Sequence, residues 1–261
     1  MRNFRKIRSE LIKLMSTKVF LIVALLIVPF QALLAYVSGR QVLSCGLDAV
    51  PDESNNLIEA MPPLEYFGFD VTAFALIPLI VMGALFGAME FKRHCLRTSL
   101  IYMGGRNKLF AAKTIAVALL SFLLSFVSVF TSIAVTHLSF GDQGLMVGVF
   151  NAEVWRFIMT ASLALSCLTL LSFAMGFIFR SPVPVMIFLI VQAYNVGNLL
   201  AERFTVCKFL PVALCNSLIP SSPSAYTSSV AGSLAGLLSW IALFLIAGLL
   251  IMERRDVGGE Y

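Results

Sequence analysis

The sequence predicts an all-α integral membrane protein: six membrane-crossing helices in a single domain, 1–261, with an amphipathic helix at the N-terminus and both termini in the cytoplasm. Three observations predict it. The 261 residues are 59% hydrophobic and only 13% charged, against about 45–50% and about 25% in soluble domains. Six windows of about 20 residues, the length a bilayer core of about 30 Å requires, are nearly free of charge: 19–38, 67–89, 114–136, 157–179, 185–201 and 230–252. The basic residues alternate with those windows. With both termini inside, inner segments hold 15 of the 19 Lys and Arg and five of the 14 Asp and Glu, as the retention of positive charge on the cytoplasmic side demands.

The chain opens on MRNFRKIRSELIKLMSTK. On a helix Phe4, Ile7, Leu11, Leu14 and Met15 form one stripe, with Arg2, Arg5, Lys6 and Lys13 opposite it. A basic amphipathic helix of this kind is expected to lie on the inner leaflet; the alternative is that residues 1–18 only set topology. The apolar run that follows is about 19 residues long, beyond the 7–15 of a signal peptide, so an uncleaved first span is expected. The net charge of +5 does not indicate nucleic acid. It is segregated to one membrane face, where anionic lipid is the first partner.

The loop after the first span carries Asp48, Asp52, Glu53, Glu59 and Glu65, an acidic set suited to the outer face. In the second span Gly83 and Gly87 are spaced for close backbone approach between helices. The inner segment 90–113 reads EFKRHCLRTSLIYMGGRNKLFAAK. Leu96, Leu100 and Met103 share a helical face, Lys92, Arg93 and Arg97 surround it, and Gly104-Gly105 stops the helix. A plain reverse turn needs far fewer residues, so this segment is either a docking element or a solvated loop.

In the third span Ser121, Ser125, Ser128 and Ser132 recur every three or four residues, as do Ser162, Ser166 and Thr169 in the fourth. They form packing seams or, on the sharper reading, a hydrophilic path. Arg180-Ser181-Pro182-Val183-Pro184 is a tight hairpin, because two prolines cannot continue a helix. The fifth span is short and polar. Gln192, Tyr194, Asn195 and Asn198 are costly against lipid and must meet protein or water, either to bind substrate or to bridge helices. It is kept as a span because omitting it gives an odd count and moves Arg254-Arg255 outside. Segment 202–229 begins with an apolar run too short to cross, which suits a re-entrant or interfacial element, and ends rich in Ser and Pro. Cys207 and Cys215 lie in it and Cys45 in the first outer loop; a Cys207–Cys215 disulfide is permitted by compartment, and reduced thiols are the other reading. Gly232 and Gly236 repeat the small-residue spacing in the last span.

The residues needed for hydrolytic or metal chemistry are scarce. The two histidines, His94 and His137, fall on opposite membrane faces, which rules out a Ser-His pair or a two-His metal site within one chain. No carboxylate lies near the midplane, where an ion-coupled carrier is expected to place one. No GxxxxGK[ST] phosphate loop occurs. Energy for any transport must come from another chain.

The opening FRKIRSELIKLMSTKVFLIV and the segment EFKRHCLRTSLIYMGGRNKLFAAK resemble the permease subunits of type 2 ABC transporters from Gram-positive bacteria, with Glu90, Phe91, Lys92, Arg97, Arg106, Ala112 and Lys113 fitting the first-loop pattern. His94 and Cys95 replace its usual Gly-Thr. The resemblance implies the type 2 exporter fold and a bacterial cell-membrane location. The first inner loop becomes a coupling helix, Lys92, Arg93, Leu96, Arg97, Leu100 and Met103, seated on a separate ATP-binding subunit. That subunit, present in two copies, binds ATP and Mg²⁺; this chain holds no cofactor and no metal. A second permease, identical or homologous, completes the pathway. The implied function is export of a hydrophobic or amphipathic substrate: antimicrobial peptide, lantibiotic or drug. The alternative is a membrane-embedded sensory or assembly subunit that transports nothing.

Overall fold

Long apolar runs with few breakers fold as helix because a helix satisfies its own backbone where water cannot. In the computed structural model, which describes residues 2–47, 49, 61–91, 99–101, 104–196, 205–220 and 230–254, no strand occurs among those residues. Helix α1, Arg2–Met15, ends one turn before α2, Lys18–Cys45. Thr17 makes the break by capping α2, its hydroxyl oxygen accepting from the Phe20 N–H at 3.3 Å. The 3₁₀ turns Leu64–Tyr66 and Asp70–Ala75 lead into α3, Leu76–Ala88, and a third turn, Met89–Phe91, ends it. Two long helices follow, α4, Arg106–Ser139, and α5, Ala152–Phe179. Short α6, Val183–Val191, continues as a π turn, Gln192–Val196. A 3₁₀ turn, Thr205–Phe209, precedes α7, Pro211–Asn216, and α8 is Val230–Arg254.

Five stretches are long and apolar enough to cross a membrane: Lys18–Cys45, Leu64–Phe91, Arg106–Ser139, Ala152–Phe179 and Val230–Glu253. The expected fifth span, 185–201, is not among them. Its apolar helix runs Val183–Tyr194, about 18 Å at 1.5 Å per residue, and 197–201 lie outside the described residues. Three of the polar residues that made this window doubtful, Gln192, Tyr194 and Asn195, fall in the π turn.

Helix α5 is the hub, packing on α3, α4, α6 and α8. Its approach to α3 is the closest, because Gly83 and Gly87 face it: a methyl at Gly83 would overlap the Thr169 carbonyl oxygen, and one at Gly87 that of Phe173. Gly176 returns the fit against Ala84. The Ser172 hydroxyl crosses the seam and donates to the Ile80 carbonyl at 2.5 Å. By contrast α2 buries one narrow stripe, Val23, Ile27, Gln31, Ala35 and Gly39, and leaves Leu21, Ile22, Leu25 and Phe30 exposed, as a helix bordering lipid would.

One end of the bundle gathers α1, the ends of α3, α5 and α8, and the start of α4. Phe91 packs against Phe177 with ring centroids 5.0 Å apart, and the Arg180 guanidinium lies 4.8 Å over the Phe91 ring. Leu109, Phe110, Ala112, Phe177 and Met252 form a cluster there, with Ile7 and Leu100 packed on it. Helices α5 and α8 thus finish at the same end, so the chain between them returns to the far end before α8 begins.

The apolar stripe of α1 is partly taken by protein rather than lipid. Leu14 is buried, Leu11 packs on the core and Ile7 on the end cluster. The exposed face carries Arg8, Ile12 and Met15, not the full stripe the periodicity assigns to the leaflet. The reason is Glu10, which lies among these residues and is drawn inward by a buried cation.

Candidate functional site

That cation is Lys113, two turns into α4 and 1% exposed. Its Nζ pairs with Glu90 Oε1, on the turn that ends α3, and stands 3.5 Å from Glu10 Oε2. Both carboxylates are 4% exposed. Lys13 completes the group from the half-exposed side of α1, with Nζ 3.0 Å from Glu90 Oε1 and 4.0 Å from Glu10 Oε2. Two cations and two anions cancel, which is what permits charge at this burial. Lys13 also donates to the Ser99 hydroxyl at 3.3 Å, so the group reaches into the inner loop.

The loop's other stalk is held as well. Arg106 Nη1 donates to the carbonyls of Met252 and Glu253, each at 3.1 Å, and Asn107 Nδ2 to Glu253 Oε1 at 2.7 Å. A guanidinium on the last carbonyls of α8 is favoured by their unmet acceptor capacity and the negative end of the helix dipole. Gly104 turns the chain into α4 at φ 68°, a left-handed conformation that glycine adopts without the cost other residues bear.

Of the expected docking residues, Lys92, Arg93, Leu96, Arg97 and Met103 lie outside the described residues, as does His94. Leu100 is described, half-buried on the Leu109, Phe110 and Phe177 cluster, whereas its neighbour Ile101 is 85% exposed.

The polar face expected on the fifth span is split. Gln192 is 8% exposed and turned inward, Nε2 donating to the Phe188 carbonyl at 2.8 Å. Tyr194 is 67% exposed. Spacing by three aligns residues on an α-helix, but the π turn widens the coil between Gln192 and Val196. The side chain of Asn195 and all of Asn198 lie outside the described residues.

The segment 205–220 inserts alongside α8. Ser217 Oγ donates to Ser233 Oγ at 2.8 Å, Leu214 packs on Gly236, and Trp240 Nε1 donates to the Phe209 carbonyl at 2.8 Å. These partners step down α8 to its eleventh residue, about 15 Å from its start. Cys207 is half-exposed and Cys215 fully buried, and both are free thiols.

The serines of α4 are sealed. Ser121, Ser125, Ser128 and Ser132 are buried; Ser132 donates to the Gly68 carbonyl at 2.9 Å, and Ser128 to Gln31 Oε1. Gln31 Nε2 in turn donates to the Val71 carbonyl at 3.1 Å. His137 is buried at the far end, its Nδ1 accepting from the Leu145 N–H at 3.3 Å. Among the described residues no group of three or more His, Cys, Asp or Glu could hold a metal. Near the far end Leu43, Met61, Leu64, Phe67 and Gln143 line an open cavity of about 870 Å³.

The sequence did not single out Glu10 or Gln31, and placed Glu90 and Lys113 at the ends of the inner segment and among the residues fitting the first-loop pattern, not as partners of each other. The signal for the first two was available: Glu10 lies three residues past Ile7 and four before Leu14, and Gln31 falls midway in a four-residue repeat of Val23, Ile27, Ala35 and Gly39. No protein-family model matches the chain, and no curated protein matches it in sequence.

Proposed function

We propose that this chain is the membrane permease of a type 2 ABC exporter, moving a hydrophobic or amphipathic substrate such as an antimicrobial peptide, lantibiotic or drug. A separate ATP-binding subunit, in two copies and carrying ATP and Mg²⁺, drives it. The observation that carries this reading is the inner loop: basic in sequence, and tied at both stalks to α1, α4 and α8. Such a loop suits a partner that pushes on it. In this reading α6 and its continuation make the fifth of six passes, and both termini are cytoplasmic in a bacterial cell membrane. With the α4 serines buried, the substrate path in this reading runs between this chain and a second permease. The polar stretch containing Gln192, Tyr194, Asn195 and Asn198 borders that path.

The same sealed seams also favour a second reading, a sensory or assembly subunit that binds a partner through the loop and moves nothing. Substrate-stimulated ATP turnover in reconstituted vesicles belongs to the exporter alone. The docking claim is tested by replacing Lys92, Arg93 and Arg97 with glutamate and purifying the chain from its native membrane. An ATP-binding subunit is expected to co-purify with the unaltered chain and to fall at least tenfold with the variant; equal recovery would sink the assignment.

A further inference from the structure

The inner loop has three attachments to the rest of the bundle. Before it, Glu90 pairs with Lys113 of α4 and with Lys13 of α1. Within it, the Ser99 hydroxyl accepts from Lys13. After it, Arg106 and Asn107 grip the end of α8. These attachments tie Glu90, Ser99, Arg106 and Asn107 to three helices of the bundle. Lys113 ties the first of these attachments to α1 and α4 together, because its ammonium meets carboxylates from two other elements while its backbone belongs to α4. That helix runs without interruption to Ser139 at the far end, where Phe140 and His137 pack together at 5.8 Å between ring centroids.

Resting on the docking reading above, we infer that Lys113, with Glu10 and Glu90, is the positioning joint that passes movement of the partner-bound inner loop into α4 and on to the far end. Lys113 is too buried to touch a docked subunit, so its action is through the loop. The joint is electrostatic, and a buried ion group can be replaced by neutral residues of similar volume at little or no loss of stability. The joint can therefore be removed without removing the fold.

The experiment uses the complex of this chain with its co-purified ATP-binding subunit in lipid nanodiscs, and reads hydrogen–deuterium exchange with and without ATP plus vanadate. In the unaltered complex, trapping is expected to change protection in both 92–105 and 140–151. In the variant Glu10→Gln/Glu90→Gln/Lys113→Met the change in 92–105 is expected to persist while that in 140–151 falls at least fivefold. The full exchange variant Glu10→Lys/Lys13→Glu/Glu90→Lys/Lys113→Glu, which keeps every contact in the group between opposite charges, is expected to recover most of it. A purely structural role would move both segments together. A neutral variant that still changes 140–151 as the unaltered complex does, or one that loses the subunit, overturns the joint. Failure of the unaltered chain to retain any ATP-binding subunit overturns the docking reading instead, and the joint with it.

Discussion

Gln31 is a single amide with two obligations, one to the Val71 carbonyl and one to the Ser128 hydroxyl. Replacing it with leucine keeps the volume of the α2 seam and leaves both partners without it. An orphaned buried polar group costs about 1–3 kcal/mol, so the Gln31→Leu chain is expected to lose that much stability, read as an earlier melting midpoint in detergent. Adding Ser128→Ala is expected to cost less than it does alone, because residues in one network are not additive. This amide and the Glu10, Glu90 and Lys113 group were hard to find from sequence for the same reason. Periodicity reports which face a residue occupies, not what waits opposite it. Glu90 and Lys113 flank a loop, and only the packing of α3 against its neighbours tells that they meet. The expected docking face was chosen by charge and spacing, and of its members only Leu100 is described, packed against the bundle.

At the scale of elements, the small-residue seams were legible because their physics is local: two glycines one turn apart leave a groove whatever fills it. The groove's partner was not legible. Gly83 and Gly87 receive α5, but Gly236 receives Leu214 of α7, a six-residue helix with no periodicity to announce it. Helix α1 was legible as amphipathic, yet its stripe meets protein because one acid within it has a buried partner. The described part of the fifth window passes into a π turn, which no apolar count registers. The glycine assignments make opposing predictions. A methyl at Gly87 would stand 2.6 Å from the Phe177 nitrogen, so Gly87→Ala is expected to destabilise by about 1–3 kcal/mol, the usual cost of overpacking. A methyl at Gly105 would find its nearest neighbour, Lys108 Cδ, at 3.9 Å, and Gly105→Ala is expected to leave the melting midpoint unchanged. Thiol chemistry tests the inserted segment. Maleimide should modify half-exposed Cys207 and spare Cys215, and Gly236→Leu, which drives Leu214 aside, should make Cys215 reactive.

The whole molecule is organised by which end each helix begins on, and the observations converge on one arrangement. Arg106 and Asn107 at the start of α4 grip the last carbonyls and the Glu253 side chain of α8, while Lys113, two turns further along α4, holds α1. The first and last described helices therefore meet at one end, which five passes alone cannot achieve. In the proposed reading a further pass between Arg180 and Val230 restores the even count, with α6 and its π turn at its start. The proposed sidedness rests on charge: the α1 end carries the basic clusters, and retention of positive charge on the cytoplasmic side would hold it there. Two exposed positions read this directly. Ile101 is 85% exposed at the α1 end and Val149 is 78% exposed at the far end, so neither replacement disturbs the core. In a chain with Cys45, Cys95 and Cys207 replaced by serine, a membrane-impermeant maleimide is expected to label Val149→Cys and not Ile101→Cys in intact cells, and permeabilisation should bring Ile101→Cys to comparable labelling. Reversed labelling would invert the molecule, carry the basic loop away from any cytoplasmic ATP-binding partner, and remove the basis of the proposed function while leaving the helix packing as described.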